Sequence, residues 1–232
     1  MIDKERLAGK LASCGITLDS LRLDRLDRYA GILVDYNEKV NLTAITDPEG
    51  IEDRHFVDSI VLRSDPLVAG RVADIGTGNG IPGIVVKIVK PDVDIFLMDP
   101  LGKRCTFLKY ALDELGLKGE VIKERAEEAA RKAYRESYDV VTARAVAEMR
   151  VLSEYCIPLV REGGWFIPMK GPIDGELEGA SRAITLLGGE AVGTKEYVLP
   201  DSSKRSLIYI RKVKKTPPVY PRNGGKIAKS PL

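Results

Sequence analysis

The sequence is poor in the residues on which metal sites and disulfides depend. Its 232 residues include one histidine and three cysteines, Cys14, Cys105 and Cys156. The cysteines are odd in number and lack metal-ligand spacing, a pattern typical of a reducing compartment rather than of a disulfide-stabilised secreted domain. We therefore expect a cytoplasmic protein, and we expect no zinc site.

Long apolar runs and a signal sequence are also absent. No stretch reaches the ~18 apolar residues that a membrane helix needs. The charged start, from Met1 to Arg6, lacks the apolar core of a signal peptide. The composition, 44% hydrophobic and 30% charged, is ordinary for a globular protein. We expect one domain with an extension, no membrane contact and, because nothing suggests an obligate dimer, a monomer.

Acidic residues are missing from the end of the chain. Nine basic residues and no acidic residue follow Asp201, while the first 201 residues carry 27 basic and 34 acidic residues, a net charge of −7. A basic end on an acidic body indicates a polyanionic partner. Residues 214–232 are also rich in proline and glycine. We predict that they form a basic tail that stays extended and orders on its partner.

The most informative segment is glycine-rich and runs from Asp74 to Gly83. It lies between a short apolar start, Val72-Ala73, and an apolar helical pattern over 84–89. Glycines permit positive φ and let a ligand approach bare amides, and the helix that follows offers unpaired N–H groups. The segment predicts a nucleotide-type pocket that includes Asp74, Gly76, Thr77, Gly78, Gly80 and Ile81.

Two ligand classes fit this loop. Residues 78–83 match the G-x-G-x-x-G fingerprint, which supports an NAD(P)-dependent oxidoreductase. However, Asp74 places a carboxylate where a pyrophosphate needs positive charge, and it suits the sulfonium and ammonium of S-adenosylmethionine. Asp99 ends the next apolar stretch, where a carboxylate reaches the ribose hydroxyls of either ligand. Alternatively, Asp99 caps the helix that starts at Gly102.

Strands and helices alternate after residue 65. The predicted strands are Val72–Asp74, Ile95–Asp99, Val121–Lys123, Val140–Ala143, Trp165–Lys170, 190–198 and 206–213. The predicted helices lie near 82–90, 102–116, 126–135, 148–160 and 174–187. Alternation predicts an α/β fold with a mostly parallel seven-stranded sheet that ends in a hairpin, as in a Rossmann-like class I methyltransferase core. We assign residues 66–213 to this core and residues 1–65 to a helical N-terminal extension. Within the extension we predict one helix that is capped by Thr17 or Asp19 and continues towards Val40, and another that starts at Asp47-Pro48.

Several short motifs occur in one order and together resemble a known family. They are Asn41-Leu42-Thr43-Ala44, Arg54-His55 with Asp58-Ser59, the loop from Asp74 to Gly83, Asp99 with Leu101-Gly102-Lys103-Arg104, Arg125-Ala126-Glu127-Glu128, Arg144-Ala145 and Met169-Lys170-Gly171. Between about residues 35 and 171 the chain is similar to the bacterial RsmG (GidB) family, which methylates N7 of a guanine in 16S rRNA. The C-terminal stretch from Tyr220 to Leu232 also resembles the ending of some members.

The resemblance implies S-adenosylmethionine as the cofactor. Residue by residue, it implies contacts at Gly76, Ile81, Asp99, Pro100, Leu101, Ala126, Glu127 and Arg144. Pro100 departs from the serine that is frequent at this place in the family, and it offers neither an N–H nor a hydroxyl.

Methylation of guanine N7 places few demands on catalytic groups. N7 is a lone pair without a proton, so the reaction needs alignment rather than a general base. Arg144 or Lys170 could orient the base through its O6 atom. Alternatively, Arg144 pairs with Glu127 or Asp99, and Lys170 snorkels from a strand end. The resemblance implies that His55 lines the pocket, whereas a packing or capping histidine is the alternative.

The expected partner is 16S rRNA or the small ribosomal subunit. Phosphate contacts supply affinity without sequence choice. We predict such contacts beside the pocket and in the tail, from Lys103, Arg104, Lys214, Lys215, Arg222 and Lys226. Truncation after Arg211 should then weaken rRNA binding and flatten its salt dependence. A non-catalytic RNA-binding protein on the same fold is a third alternative.

Overall fold

The centre of the molecule is one twisted sheet of seven strands. The computed structural model describes all 232 residues. The sheet has the order β3-β2-β1-β4-β5-β7-β6. Its strands are β1 (Arg71–Ile75), β2 (Asp94–Met98), β3 (Glu120–Ile122), β4 (Tyr138–Arg144), β5 (Val160–Lys170), β6 (Gly189–Val198) and β7 (Lys204–Lys212). The first five are parallel, and β7 pairs antiparallel with both β5 and β6. The predicted α/β fold with a hairpin ending is confirmed.

Helices cover both faces of the sheet. They are α1 (Lys4–Ser13), α2 (Ser20–Asn37), α3 (Pro48–Gly50), α4 (Asp58–Arg63), α5 (Gly83–Val89), α6 (Gly102–Glu114), α7 (Ala126–Ala129), α8 (Met149–Cys156), α9 (Glu176–Leu186) and α10 (Gly224–Lys229). A π-helix, Ile51–Val57, joins α3 to α4. No helix combines the length and apolar character that a bilayer span requires.

Aspartates begin the N-terminal helices, and an asparagine ends one. Asp19 accepts from the Arg22 amide at 2.8 Å, and Asp47 accepts from the Gly50 amide at 2.6 Å. Both caps follow the prediction. The second helix ends at Asn37 rather than near Val40, because the Asn37 side chain accepts from the amides of Leu42 and Thr43 and turns the chain.

The predicted helix over 126–135 is shorter than expected. α7 ends at Ala129. The chain must then turn towards β4, and the amides of Glu136 and Ser137 bond to the carbonyls of Pro158 and Leu159 at 2.9 and 3.0 Å. A continuing helix would break these backbone hydrogen bonds. The helix therefore ends early, although the local sequence has helical periodicity.

Two apolar cores lie on opposite faces of the sheet. One contains 35 buried residues and joins α1, α2 and the π-helix to α5 and α6. The other contains 23 buried residues from α7 to α9 and the facing strands. The N-terminal helices therefore form part of one layer of the domain, with Tyr29 and Phe56 stacked at its centre.

The C-terminal segment (213–232) is folded, so the prediction of an extended tail was wrong. Ile227 in α10 is fully buried, and Tyr220 and Leu232 pack against the second core. Arg135 donates to the carbonyl oxygens of Thr216 and Tyr220 at 2.6 and 2.8 Å. Prolines and glycines allow this irregular path, while side chains of the core satisfy its backbone carbonyls. Truncation after Arg211 would therefore remove part of the fold.

Candidate active site

The glycine-rich loop lies at the carboxyl edge of the parallel strands. Gly76, Gly78 and Gly80 have φ values of 65°, 58° and 82°. The Gly76 amide donates to the Met98 carbonyl at 2.8 Å, which ties the loop to β2. A Cβ atom on Gly76 would lie 2.7 Å from Val146 Cγ2. Positive φ and this close approach both require glycine at position 76.

Asp74 is a fully buried carboxylate beneath this loop. Its Oδ2 atom accepts from the Thr77 hydroxyl at 2.6 Å and from the Gly83 amide at 2.8 Å. Its Oδ1 atom is buried without a partner. Burial raises the pKa of Asp74 to about 6, against the lowering effects of these two donors and of Arg144. A buried anion with an unused acceptor fits a cationic ligand.

Asp99, at the end of β2, is also fully buried. Its Oδ1 atom accepts from the Leu101 amide at 2.9 Å, and its Oδ2 atom accepts from the Gly78 amide at 3.1 Å and from Arg104 at 3.3 Å. A carboxylate has about four acceptor positions. Three are engaged here, including one by an amide at the start of α6, so the expected ribose contact has a single position left.

A cavity of about 120 Å³ opens where β1, β2 and β3 end. Its walls are Ile75, Gly76, Met98, Pro100, Glu124, Arg125, Ala126, Glu127, Val146 and Tyr155. Four residues predicted to touch the cofactor are among them: Gly76, Pro100, Ala126 and Glu127. The apolar walls suit a flat base, and the ribose position at Asp99 is adjacent in sequence to Pro100. These residues fit S-adenosylmethionine.

Other residues of the predicted cofactor set have supporting positions instead. Thr77 holds Asp74, and Ile81 is 3% exposed within the first core. Tyr29, which sequence reasoning did not single out for the site, donates its hydroxyl to the Asn79 carbonyl and so joins α2 to the loop. Leu101 is exposed at the start of α6. The helical layer thus buttresses the loop.

A second cavity, of about 360 Å³, lies where β4 and β5 end. It is lined by Ile45, Arg54, His55, Asp58, Arg144, Ala145, Met169, Lys170, Gly171 and Arg205. The structure thus brings together Arg144 and Lys170, the two residues predicted to position the base, and His55, which was predicted to line the pocket. Four cationic side chains and one carboxylate surround this space.

Arg144 is held by three acceptors from the N-terminal layer. Its Nη1 atom donates to the Arg54 carbonyl at 2.5 Å and to Asp58 at 3.1 Å, and its Nη2 atom lies 3.3 Å from His55 Nδ1. The alternative pairing with Glu127 or Asp99 was wrong, since Asp58 is the carboxylate within reach. Asp58 was missed as a site residue; a carboxylate inside the apolar helical stretch 55–62 was the available signal.

His55 is neutral at ordinary pH. The side chain is 3% exposed, and burial together with the nearby Arg144 guanidinium lowers its pKa to about 3. Because a guanidinium only donates, Nδ1 of His55 must accept, which leaves the proton on Nε2. Nε2 lies 3.2 Å from the Thr43 hydroxyl. His55 therefore acts as a link between Thr43 and Arg144.

Lys170 is anchored rather than free. Its ammonium donates to the Ala147 carbonyl at 3.0 Å and pairs with Glu176 at 2.6 Å. Two of its three donors are used, so one can point into the cavity. Arg205, which was missed, comes from β7 and lies 3.8 Å from Asp58. The sequence contains no sign of this role, because Arg205 lies far along the chain and enters the site from an antiparallel strand.

The predicted RNA-binding residues are scattered over the surface. Lys103 is exposed at the start of α6, next to Arg104. Lys214 and Lys215 follow β7, whose end pairs with the beginning of β6 at the amino edge of the parallel strands, opposite the cofactor cavity. Lys226 is exposed on α10. Arg222 was a wrong assignment, because it donates to both oxygens of the fully buried Glu154.

The sheet order, the glycine-rich loop and the two buried carboxylates define a class I S-adenosylmethionine-dependent methyltransferase. Solved structures share this fold. A SAM-dependent methyltransferase from Aquifex aeolicus has a TM-score of 0.53 at 18% identity and covers 78% of this chain and 98% of its own. A cofactor-bound protein from MTB has a TM-score of 0.57 at 13% identity, with 81% and 91% covered. No group of three or more potential metal ligands is present.

The chain belongs to the rRNA small subunit methyltransferase G (GidB) family, whose model matches residues 22–208. Relatives named ribosomal RNA small subunit methyltransferase G match it over nearly their full length. The protein from Moorella thermoacetica is 46% identical over 100% of both chains. The protein from Desulfitobacterium hafniense is 44% identical over 99% of this chain and 98% of its own. The resemblance stated from the motifs is confirmed, and the oxidoreductase alternative is not favoured.

Proposed function

We propose that this protein methylates N7 of one guanine in the 16S rRNA of the small ribosomal subunit. The observation that carries this proposal is the cationic cavity around Arg144, which adjoins the cofactor loop through the turn after β4. Ala145 lines this cavity and Val146 lines the cofactor cavity. A base in the cavity around Arg144 and a cofactor in the cofactor cavity would meet across two consecutive residues.

The donors in the cavity suit the edge of guanine. Guanine presents two acceptors, N7 and O6, on one edge, and arginine and lysine are its usual partners. Methylation requires N7 to stay free, so donation must go to O6. Arg144 is already fixed by Asp58, His55 and the Arg54 carbonyl, so it can orient a base without reorganising. Lys170 supplies a second donor.

The reaction requires no general base, and the histidine of the site is not free to act as one. His55 has its Nδ1 lone pair engaged by Arg144 and its proton on Nε2. S-adenosylmethionine supplies the methyl group as an electrophile on a positively charged sulfur. The chain contributes alignment: the loop and Asp74 position the cofactor, and Arg144 positions the base.

The substrate is tested by transfer of labelled methyl to small subunits that lack the modification, with the modified nucleotide mapped. Naked 16S rRNA serves as the second substrate. We expect label on N7 of a single guanine. Label on another atom, or no transfer to either substrate by protein that binds S-adenosylhomocysteine, would contradict the proposed substrate.

We further propose that the protein works as a monomer in the cytoplasm. Its exposed large apolar side chains, such as Leu21, Tyr110 and Val192, lie on separate elements rather than on one face. Isolated apolar residues are normal on monomers. Light scattering should give a mass near 25.5 kDa, and a dimer mass would overturn this part.

A further inference from the structure

The C-terminal segment (213–232) runs from one edge of the sheet to the other. It leaves β7 at the amino edge of the parallel strands and returns along α7 and α8 to the cofactor cavity at the carboxyl edge. Residues 213–232 lie beyond the stretch that the family model matches. We propose that this segment is a structural part of the cofactor site, and that its docking sets the affinity for the cofactor.

The first contact is at Glu127, a wall of the cofactor cavity. Gly224 begins α10 directly against this side chain, and a Cβ atom added at Gly224 would overlap Oε1 of Glu127 and lie 3.2 Å from its Cδ atom. Glu127 is only 5% exposed. The segment therefore packs on the outer side of a residue whose inner side forms the cavity.

The second contact is at α8, which supplies Tyr155 to the same cavity. Its neighbour Glu154 is fully buried and accepts from the Arg222 amide at 2.8 Å and from the Arg222 guanidinium at 2.6 Å. This hydrogen-bonded ion pair raises the pKa of Arg222. A buried carboxylate requires its partner, so the pair fixes the segment on α8.

The third set of contacts reaches the turn after α7. Arg131 donates to the Pro221 carbonyl at 2.8 Å, and Arg135 donates to the carbonyls of Thr216 and Tyr220. α7 itself begins with Ala126 and Glu127. The segment thus ties the α7 wall of the cavity to the α8 wall. Loosening it should let the two walls separate and weaken cofactor binding.

Two neighbouring glycines provide a matched test in the full chain. A Cβ atom at Gly224 meets Glu127, whereas one at Gly225 has only Asn223 Oδ1 within reach, at 3.7 Å. Neither glycine has positive φ. Gly224→Ala and Gly225→Ala therefore change the same helix by the same methyl group. We expect Gly224→Ala to weaken S-adenosylhomocysteine binding about tenfold, as overpacking does, and Gly225→Ala to leave it unchanged.

Calorimetric Kd values for S-adenosylhomocysteine and thermal unfolding midpoints distinguish a role in cofactor binding from a role in fold stability alone. If Gly224→Ala lowers the midpoint but keeps the wild-type Kd, the segment only stabilises the fold and the proposal is wrong. If only rRNA affinity changes, the proposal is also wrong. The proposal rests on the cofactor assignment alone, so a failure to methylate guanine N7 would not affect this readout.

Hydrogen exchange of the wild-type protein gives a test that needs no variant. Coupling between cofactor and segment is reciprocal. Saturating S-adenosylhomocysteine should therefore slow amide exchange over residues 220–229. Exchange there that is unchanged by the ligand would overturn the proposal even if every variant fails to fold. Arg222→Met should weaken the ligand-induced protection as well as the affinity.

Discussion

The two cavities at the carboxyl edge of the sheet have opposite electrostatic character. The cofactor side contains three buried carboxylates, Asp74, Asp99 and Glu127. The base side contains Arg54, Arg144, Lys170 and Arg205 around a single carboxylate, Asp58. The first suits a ligand that carries a sulfonium and an ammonium, and the second suits a polyanion. One strand end, after β4, thus separates sites for two oppositely charged ligands.

The boundary between these cavities is short and conformationally unusual. Ala145 has a φ of 56°, a left-handed conformation that costs a residue with a Cβ about 1 kcal/mol or more. This turn directs Arg144 to one cavity and Val146 to the other. Three residues, Arg144 to Val146, thus separate the cationic cavity from the acidic one, and substitutions on either side should have separable effects.

The largest separation should come from Arg144. We expect Arg144→Met to slow methyl transfer about 100-fold or more, because it removes a preorganised donor. Binding of S-adenosylhomocysteine should change little if the two cavities act separately. Initial rates on unmodified small subunits and calorimetric Kd values measure the two effects.

Two further variants guard the Arg144 result. Arg150→Met alters an exposed arginine outside both cavities and should keep the wild-type rate. Arg144→Lys keeps a charge beside Asp58 but loses the planar fork, so it should fold normally and still be slow. Equal loss of cofactor binding and rate in Arg144→Lys would break the division between the cavities.

On the cofactor side, Asp74→Asn should have the next largest effect. Loss of this buried negative charge beneath the glycine-rich loop should weaken binding of the cationic S-adenosylmethionine about 30-fold, or about 2 kcal/mol. S-adenosylhomocysteine, which lacks the sulfonium charge, should lose less. Asp94→Asn, at the exposed start of β2, is the control. An equal loss for both ligands would mean that Asp74 does not sense the sulfonium.

The pKa of Asp74 makes the same site sensitive to pH. Since burial raises this pKa to about 6, the carboxyl is protonated below that value, and a cationic ligand should bind about tenfold more weakly per pH unit there. The sign for stability is opposite: a raised folded pKa stabilises the fold below about 3.8, and this contribution is lost as pH rises through about 6. Calorimetry from pH 5 to 8 would contradict the assignment if Asp74→Asn kept the wild-type slope. His55, with its lowered pKa, should add no step in this range.

The site residues differ in whether they could be predicted from the sequence. Asp74, the glycines and the strand ends could be predicted because local spacing specifies a strand, a turn and a helix. Arg205 and Tyr29 could not, because they enter the site from the last strand and from an N-terminal helix, and only tertiary packing brings them there. Asp58 left one local signal, a carboxylate within an apolar helical stretch. The composition of the C-terminal segment gave a wrong prediction, because prolines, glycines and positive charge indicated an extended tail. In the structure, buried Glu154 and the contacts of Arg131 and Arg135 with backbone carbonyls hold the segment against the rest of the protein.

The smallest effect concerns RNA that lies outside the cavities. The sequence analysis predicted phosphate contacts for both Lys103 and Lys215, but the structure places these two exposed lysines at opposite edges of the sheet. Lys103 lies at the carboxyl edge beside Arg104 and the glycine-rich loop, whereas Lys215 lies beyond the amino edge. RNA that reaches the base cavity should pass Lys103 and not Lys215. Lys103→Ala should therefore weaken rRNA binding about threefold and lower the salt dependence by somewhat less than one counterion, while Lys215→Ala changes neither. Filter binding over a salt series measures both. Equal losses in the two variants would mean that RNA wraps both edges of the sheet, and the charge contrast between the cavities would then guide only the target base and not the rest of the RNA.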